Sequence, residues 1–456
     1  MSLTFILISA LLAFAPPAPA QPLSPIPPFS LSDQTSPLTQ TTSVARAPQA
    51  LIIERIEIQG NTKTRPQVIR RYLSMKEGAT ITPEIFSRDY DALVATHFFK
   101  RVEFSSKPGS APGKVVMVIE VQERRWPWLE VAGGFSELEG WYLIPIGVRF
   151  DNIFGGGGLG GGRFIFADRT AGFYWHYREQ EVFGSNLDFQ LKLGTFTQNF
   201  IHYLNGEELI QDVKNDNLTL ALSGHRGWTR FVSAGLIFNT WQPAAEARFT
   251  DNDSTITSLP PALVTAPSQR SNSAFLRLQF DTRDHASFPR RGAWGAVQVE
   301  GTPPGSDNQF NRMLFDARWY TALGKNVLAL HAKAGRISES APFYERFYLG
   351  GAYSVRGYAE RSLTPLGWGT EMALGQAEVR FPISGSRQNP TLSAALFLDA
   401  GHINDFKNSE SGRELFISAG YGFRLRLPVI GLLRCDFAYP LDRDEFRFHI
   451  ALGHTF

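Results

Sequence analysis

From residue 124 to residue 456 the chain consists of short runs in which apolar and polar residues alternate, and a period of two is the signature of β-strands. Leu187, Phe189, Leu191 and Leu193 alternate with Asp188, Gln190, Lys192 and Gly194. Ala274, Leu276, Leu278 and Phe280 alternate with Phe275, Arg277, Gln279 and Asp281. Ala377, Val379 and Phe381 alternate with Gln376, Glu378 and Arg380. A soluble sandwich alternates too, but one covering this whole stretch without helices would be unusually large. A transmembrane barrel inverts the geometry: apolar side chains face lipid, polar ones line the lumen, and closure pairs every backbone group.

Counting runs predicts about 16 strands of the ~9–11 residues that a tilted membrane strand needs. Connection lengths test that number. If the chain enters from the periplasm, odd-to-even connections lie outside and are the long ones. The longest gaps, residues 197–217, 242–271 and 338–368, all fall on outward connections. Residues 224–230, 323–326 and 428–431 form short connections on the other side. Within the first long gap, residues 201–210 fit either additional strand or an extracellular hairpin. Phe446, Phe448, Ile450, Leu452 and Phe456 occupy even-spaced positions, which predicts a closing strand with a terminal aromatic as a C-terminal barrel signal.

The N-terminal third has a different texture. Residues 3–14 are an apolar stretch of about 12, too short to span a bilayer, and Ala18-Pro19-Ala20 reads as a cleavage site. Residues 1–20 are therefore expected to be a signal peptide, although no Lys or Arg precedes Arg46. Residues 21–50, rich in Pro, Ser and Thr, are expected to be a disordered linker. Residues 51–123 read as a compact α+β unit in the order β-α-α-β-β. Thr82-Pro83 opens its second helix, with Ile85, Phe86, Tyr90, Leu93 and Val94 as the expected apolar stripe.

This unit resembles a polypeptide-transport-associated (POTRA) domain, through Ile56-Glu57-Ile58-Gln59-Gly60-Asn61-Thr62 and His97-Phe98-Phe99-Lys100-Arg101-Val102. Further motifs extend the resemblance to the POTRA-barrel outer-membrane assembly and translocation superfamily, the BamA/TamA-like bacterial surface antigens. They are the segment Tyr344-Glu345-Arg346-Phe347-Tyr348-Leu349-Gly350-Gly351 with Val355-Arg356-Gly357-Tyr358, in the sixth outward loop, and Phe397-Leu398-Asp399-Ala400-Gly401 in the thirteenth strand. Asp281, Arg283, Asp284, Pro289 and Gly292 match a periplasmic-turn motif, and Leu433-Arg434-Cys435-Asp436-Phe437-Ala438-Tyr439-Pro440 matches the penultimate strand. The expected fold is all-β: an antiparallel transmembrane β-barrel of about 16 strands over residues 124–456, preceded by one small βααββ domain. The resemblance implies that the sixth loop folds into the lumen and that Arg356 pairs with an acidic wall residue. Asp399 is the first candidate and Glu378 the second.

Electrostatics and motifs exclude other classes. With 45 basic and 43 acidic residues the net charge is +2, which gives no case for nucleic acid. Cys435 is the only cysteine, so no disulfide forms within one chain. No Gly-x-Ser-x-Gly elbow occurs and the nine His show no metal spacing. The glycine run at residues 155–162 lacks the Lys-Ser/Thr of a phosphate loop and is expected to be a flexible turn between the second and third strands. No enzyme, cofactor or metal is expected. The resemblance implies an outer-membrane insertion factor with a periplasmic POTRA domain and a monomeric barrel. Its expected partners are lipid and unfolded outer-membrane or secreted clients, with accessory periplasmic proteins or lipoproteins as candidates. Client strands would enter at a weak seam between the first and last strands, around residues 128–135 and 446–456. The alternatives are a two-partner-secretion translocator and a passive structural pore.

Overall fold

The computed structural model describes residues 51–456 except 126, 137–139, 183–184, 227–229, 252, 286–287, 387–389, 405–414 and 428–430. The expected signal peptide and linker lie outside the described residues. The chain divides into two compact units.

The smaller unit contains β1 (Ile52–Gln59), α1 (Pro66–Arg71), α2 (Pro83–Ala95), β2 (Phe99–Pro108) and β3 (Lys114–Glu123). Its sheet order is β1-β3-β2, with β1 parallel and β2 antiparallel to β3. Central β3 buries Val115 to Ile119 without a break, as a strand covered on both faces must. Ile53, Ile56, Val68, Ile69, Leu93, Phe98, Met117 and Ile119 form the core. Thr82 accepts from the Ile85 amide at 3.3 Å and caps α2, with Pro83 in the first turn.

The stripe on α2 differs from the expected one. Leu93 is buried and Ile85 partly so, but Phe86, Tyr90 and Val94 are 36%, 38% and 45% exposed. Asp89 takes the core-facing position because its carboxylate accepts the Ser74 and Met75 amides, both at 2.8 Å. A buried carboxylate needs such partners, and helical periodicity alone does not reveal them. Phe86 and Tyr90 instead pack edge-on against Phe104 of β2.

The glycine run is also unlike a flexible turn. Residues 155–158 are buried, and the turn that carries them belongs to the smaller unit. The Arg65 amide donates to Gly155 O at 3.0 Å, and Asn152 Nδ2 donates to Thr64 Oγ1 at 2.7 Å. Gly155 has φ +76°, and a Cβ there would strike the Lys63 carbonyl. Glycine is needed here for close backbone approach rather than for mobility.

The larger unit is the barrel. Its strands are β4 (Trp128–Ser136), β5 (Gly140–Asp151), β6 (Leu159–Ala167), β7 (Thr170–Glu179), β8 (Leu187–Leu204), β9 (Glu207–Arg226) and β10 (Arg230–Pro243). A small hairpin, β11 (Ala247–Phe249) and β12 (Thr255–Ile256), follows. Then come β13 (Gln269–Asp281), β14 (Gly292–Gly301), β15 (Asn311–Leu323), β16 (Asn326–Ile337), β17 (Glu371–Gly385), β18 (Pro390–Asn404), β19 (Phe416–Leu427), β20 (Gly431–Pro440) and β21 (Arg447–Leu452). From β7 to β21 neighbouring long strands pair antiparallel, β10 pairs directly with β13, and the order returns from β21 to β4 to close the barrel.

Exposure follows the inverted pattern. Leu276, Leu278 and Phe280 point out, whereas Arg277 and Gln279 are buried inside. On β8, Leu187 and Leu193 are exposed while Asp188, Gln190 and Lys192 are buried. A sheet with its apolar side outward is solvated by hydrocarbon, not water.

The gap expected at residues 197–217 is mostly strand. β8 and β9 run on to a two-residue turn at Asn205-Gly206, where φ is +54° and +89°, the positive values that a tight hairpin of this hand requires. At ~3.3 Å per residue this pair is about 60 Å long, far more than a ~30 Å hydrocarbon layer demands even with tilt. Its outer part joins a packed cap at the odd-to-even rim. Phe200, Leu209, Trp241, Leu263, Tyr344 and Trp368 are fully buried in one cluster. Phe200 stacks on Trp368 with centroids 4.9 Å apart, and Trp241 stacks on Tyr344 at 4.8 Å.

Within the smaller unit, Glu123 holds the Gly60–Thr64 turn by accepting from Thr62 Oγ1 at 2.6 Å and from the Lys63 and Thr64 amides. Partial burial pushes this carboxyl up, but the hydrogen bonds from Thr62, Thr64 and Lys63 outweigh it and hold it below the usual carboxylate range. A depressed folded value means that the cap stabilises above the unfolded carboxyl's pKa and is lost as pH falls through the folded one. Glu123→Gln is expected to weaken the turn by about 1–2 kcal/mol. Amide exchange at residues 62–64, corrected for intrinsic rates, should rise in the variant at neutral pH and in the parent on acidification.

Candidate functional site

The connection between β16 and β17, residues 338–370, is the sixth outward loop of the long strands. It enters through a short 3-10 turn at Phe343–Glu345 and bends at Gly350 and Gly351, with φ +107° and +101°. Its return path carries Val355, Arg356 and Tyr358 into the barrel interior, where all three are essentially unexposed.

Arg356 is 0% exposed. Its Nε donates to Asp399 Oδ2 at 2.7 Å and its Nη2 to Asp399 Oδ1 at 2.8 Å, a bidentate fork. The Arg356 amide also donates to Asp399 Oδ2, at 3.1 Å. Nη1 reaches Glu378 Oε2 at 3.1 Å and Asp436 Oδ2 at 3.3 Å. Thus both candidate carboxylates bind the guanidinium, Asp399 by the fork and Glu378 end-on. The Phe397 ring lies 3.4 Å from Arg356 Cζ and supplies an aromatic face.

Period-two alternation places these groups. Gln376, Glu378 and Arg380 are the inward residues of β17, Phe397 and Asp399 those of β18, Arg424 of β19, and Arg434 and Asp436 of β20. Gln376 sits opposite Asp399 in register and ties the wall to the loop: its Nε2 donates to Ser354 O at 2.7 Å and to Asp399 Oδ1 at 3.2 Å. Arg424 links Asp436 Oδ1 at 2.8 Å to Glu378 Oε2 at 3.0 Å. Arg380 donates to Glu378 Oε1 at 2.9 Å, and Arg434 donates to Ala352 O at 2.8 Å. Charges this deep are tolerable only when each carboxylate faces several donors.

The sequence alone does not mark Arg424, Arg434 and Asp436 as partners of the loop, though Arg434 and Asp436 lie in the penultimate-strand motif. The usable signal was a set of charges on the inward positions of adjacent strands. A second anchor involves Glu345, which lies in the Tyr344–Gly351 segment but whose partners the sequence does not indicate. Glu345 of the loop accepts from Trp241 Nε1 at 2.8 Å and faces Arg312, which donates to Glu300 at 2.7 Å. These partners are 104 and 33 residues away from Glu345, so no local pattern announces them.

The structure keeps the periplasmic-turn motif apart from this cluster. Arg283 forks onto Asp281 at 2.9 and 2.7 Å, Asp284 accepts the Arg290 and Arg291 amides, Pro289 is buried, and Gly292 takes φ +102°. They belong to the turn between β13 and β14, where Arg290 also donates to Gly324 O of the next turn at 3.0 Å. The C-terminal residues divide. Phe448 is exposed on the outer face, with Ile450 and Leu452 partly exposed on the same side. Phe456 does not continue that face. β21 stops at Leu452, Gly453 adopts φ +83°, and Phe456 is 7% exposed, stacked on His331 at 4.9 Å. The expected single strand through Phe456 is therefore corrected: a glycine turn breaks the alternation.

Residues 152–456 match the Omp85 superfamily domain, and residues 51–124 match the surface antigen variable number repeat of the POTRA type. The chain is 27% identical over 471 aligned residues to the outer membrane protein assembly factor BamA of Neisseria meningitidis. That alignment covers 89% of this chain but 57% of the relative, so the chain spans little more than half its length. Among solved structures, BamA from Haemophilus ducreyi lacking POTRA domains 1–3 superposes with a TM-score of 0.71 at 18% identity, covering 88% of this chain and 84% of that one. CdiB from Acinetobacter baumannii superposes with a TM-score of 0.54 at 17% identity, covering 89% and 74%.

Removing one partner of a buried ion pair costs about 3–5 kcal/mol because the other is left uncompensated. Arg356→Ala is expected to free the return arm of the loop while the barrel persists. Limited proteolysis should cut within residues 350–360 faster, with heat-modifiable gel migration unchanged. Glu345→Ala should expose the entry arm, residues 339–347, instead. Equal cleavage of parent and variants at both arms would show that neither anchor holds the loop.

Proposed function

Because the chain belongs to the Omp85 superfamily, we propose that it inserts unfolded barrel proteins into the bacterial outer membrane. It is an outer-membrane protein with a periplasmic POTRA domain. The observation that supports insertion at the wall, rather than passage through the lumen, is the contrast between a filled interior and a short closing strand. Loop six and its ion cluster lie in the interior, and the aromatic cap packs at the odd-to-even rim. β21 has six residues, against nine to 20 in the other long strands, and pairs with β20 at six positions.

In this reading the POTRA domain receives extended client. β2 lies at the edge of its sheet, with Phe104, Phe86 and Tyr90 clustered beside it, an arrangement suited to strand addition with apolar side-chain contacts. The client's strands then pair at the seam between β4 and β21. Backbone pairing and burial of apolar side chains in lipid drive the process, without bond-making chemistry, nucleotide or cofactor. Accessory periplasmic proteins or lipoproteins would deliver clients.

Purified protein in liposomes is expected to speed the folding of several unrelated barrel clients by at least about tenfold, equivalent to ~1.4 kcal/mol of barrier. No acceleration of any client would overturn the insertion reading. Activity toward one exported partner only, appearing outside the vesicle, would establish the two-partner translocator instead. Steady conductance unaffected by deletion of loop six would indicate a passive pore.

A further inference from the structure

Loop six grips more than the wall strands that bear its carboxylate partners. The Gly357 amide donates to His449 Nε2 at 2.8 Å, and His449 is a buried, inward-facing residue of β21. Tyr353 Oη donates to Leu452 O, at the end of the same strand, at 3.2 Å. Tyr358 Oη donates to Asp442 Oδ1 at 2.6 Å, in the turn that joins β20 to β21. Gly357 itself has φ +91°, and a Cβ there would stand 3.0 Å from Pro440 Cδ, the last residue of β20. Tyr353, Gly357 and Tyr358 therefore rest on the final hairpin, while Arg356 between them is fixed to β17 and β18.

We propose that His449 is a positioning residue that ties loop six to the closing strand, so that anchoring of Arg356 and pairing of β21 are set together. β21 offers only His449 and Ala451 as buried inward side chains. Of the two, only the imidazole can accept a hydrogen bond, and it meets the one backbone amide that Gly357 presents. The nitrogen that accepts carries no proton, which places the imidazole proton on Nδ1. Loss of this bond leaves a buried amide without its acceptor and removes an interior support from a short strand that meets β20 at six residue pairs and β4 on its other edge. When loop six moves, β21 is loosened, and when β21 departs, loop six loses a wall.

The proposal rests on the insertion reading only for its consequence, since the coupling itself is measurable without a client. Hydrogen–deuterium exchange of the full chain in nanodiscs would compare the parent with His449→Phe, which keeps a planar ring but cannot accept, and His449→Gln, whose Oε1 can. His449→Phe is expected to raise exchange about three- to tenfold both at Gly357 and across residues 447–452, and His449→Gln to restore most of the protection. Parental protection of residues 447–452 in His449→Phe would overturn the proposal, as would equal loss in both variants. Heat-modifiable migration checks folding. If His449→Phe fails that check, Tyr353→Phe carries the same test through Leu452, with the same rise in residues 447–452 expected and its absence equally fatal. Client insertion slowed by His449→Phe and rescued by His449→Gln would extend the coupling to activity. Insertion lacking even in the parent would sink the insertion reading and leave the coupling standing.

Discussion

A guanidinium taken out of water must find carboxylates, and Arg356 organises much of the barrel around that demand. Asp399 supplies the fork, Glu378 and Asp436 complete the coordination, and Arg380, Arg424 and Arg434 balance the carboxylates in turn. These groups come from β17 to β20 and from a loop more than 20 residues away from its nearest carboxylate partner. Each strand must keep its register for the set to meet, because a slip of one residue would turn every charge toward lipid. The cluster is thus a specification of register as well as a tether for the loop. Its net contribution to stability is small compared with the penalty for breaking it.

The loop's two ends are held by different chemistry. The entry arm leans on an aromatic cap with Glu345 at its centre, so it is stabilised mainly by apolar burial. The return arm is held by charge and by hydrogen bonds to backbone amides. The return arm also carries the contacts to β21, whereas the partners of the entry arm's Glu345 lie on β10 and β15.

The barrel was legible in the sequence because alternation is a local property and each strand announces itself. Leu276, Leu278 and Phe280 need only their neighbours to declare an outer face. The Arg356 partners were legible through resemblance, since Asp399 and Glu378 are far away in the chain. Other features depended on tertiary placement. Asp89 displaces apolar residues from the core because two amides of a preceding segment point at it. Phe456 leaves the outer face because Gly453 turns the chain. Gly155 and Gly157 are buried because segments distant in the chain lie against them, Lys63 and Arg65 on the first and Val68 on the second. In each case periodicity described the side chain's neighbours along the chain, and the outcome was decided by neighbours across space.

The over-long β8–β9 hairpin has a consequence for how this protein can diverge. Asn205, Gly206 and Glu207 at its tip are exposed, while Phe200 and Leu209 a few positions below are buried in the cap. Substitution at the tip alters what meets the surroundings of the cell, at little cost beyond preserving the turn. Substitution a single pair of rungs lower reaches the aromatic core that seats the loop. An exposed tip and an internal support are therefore separated here by only a few residues of strand, so sequence drift on this hairpin is expected to be confined to its last turn.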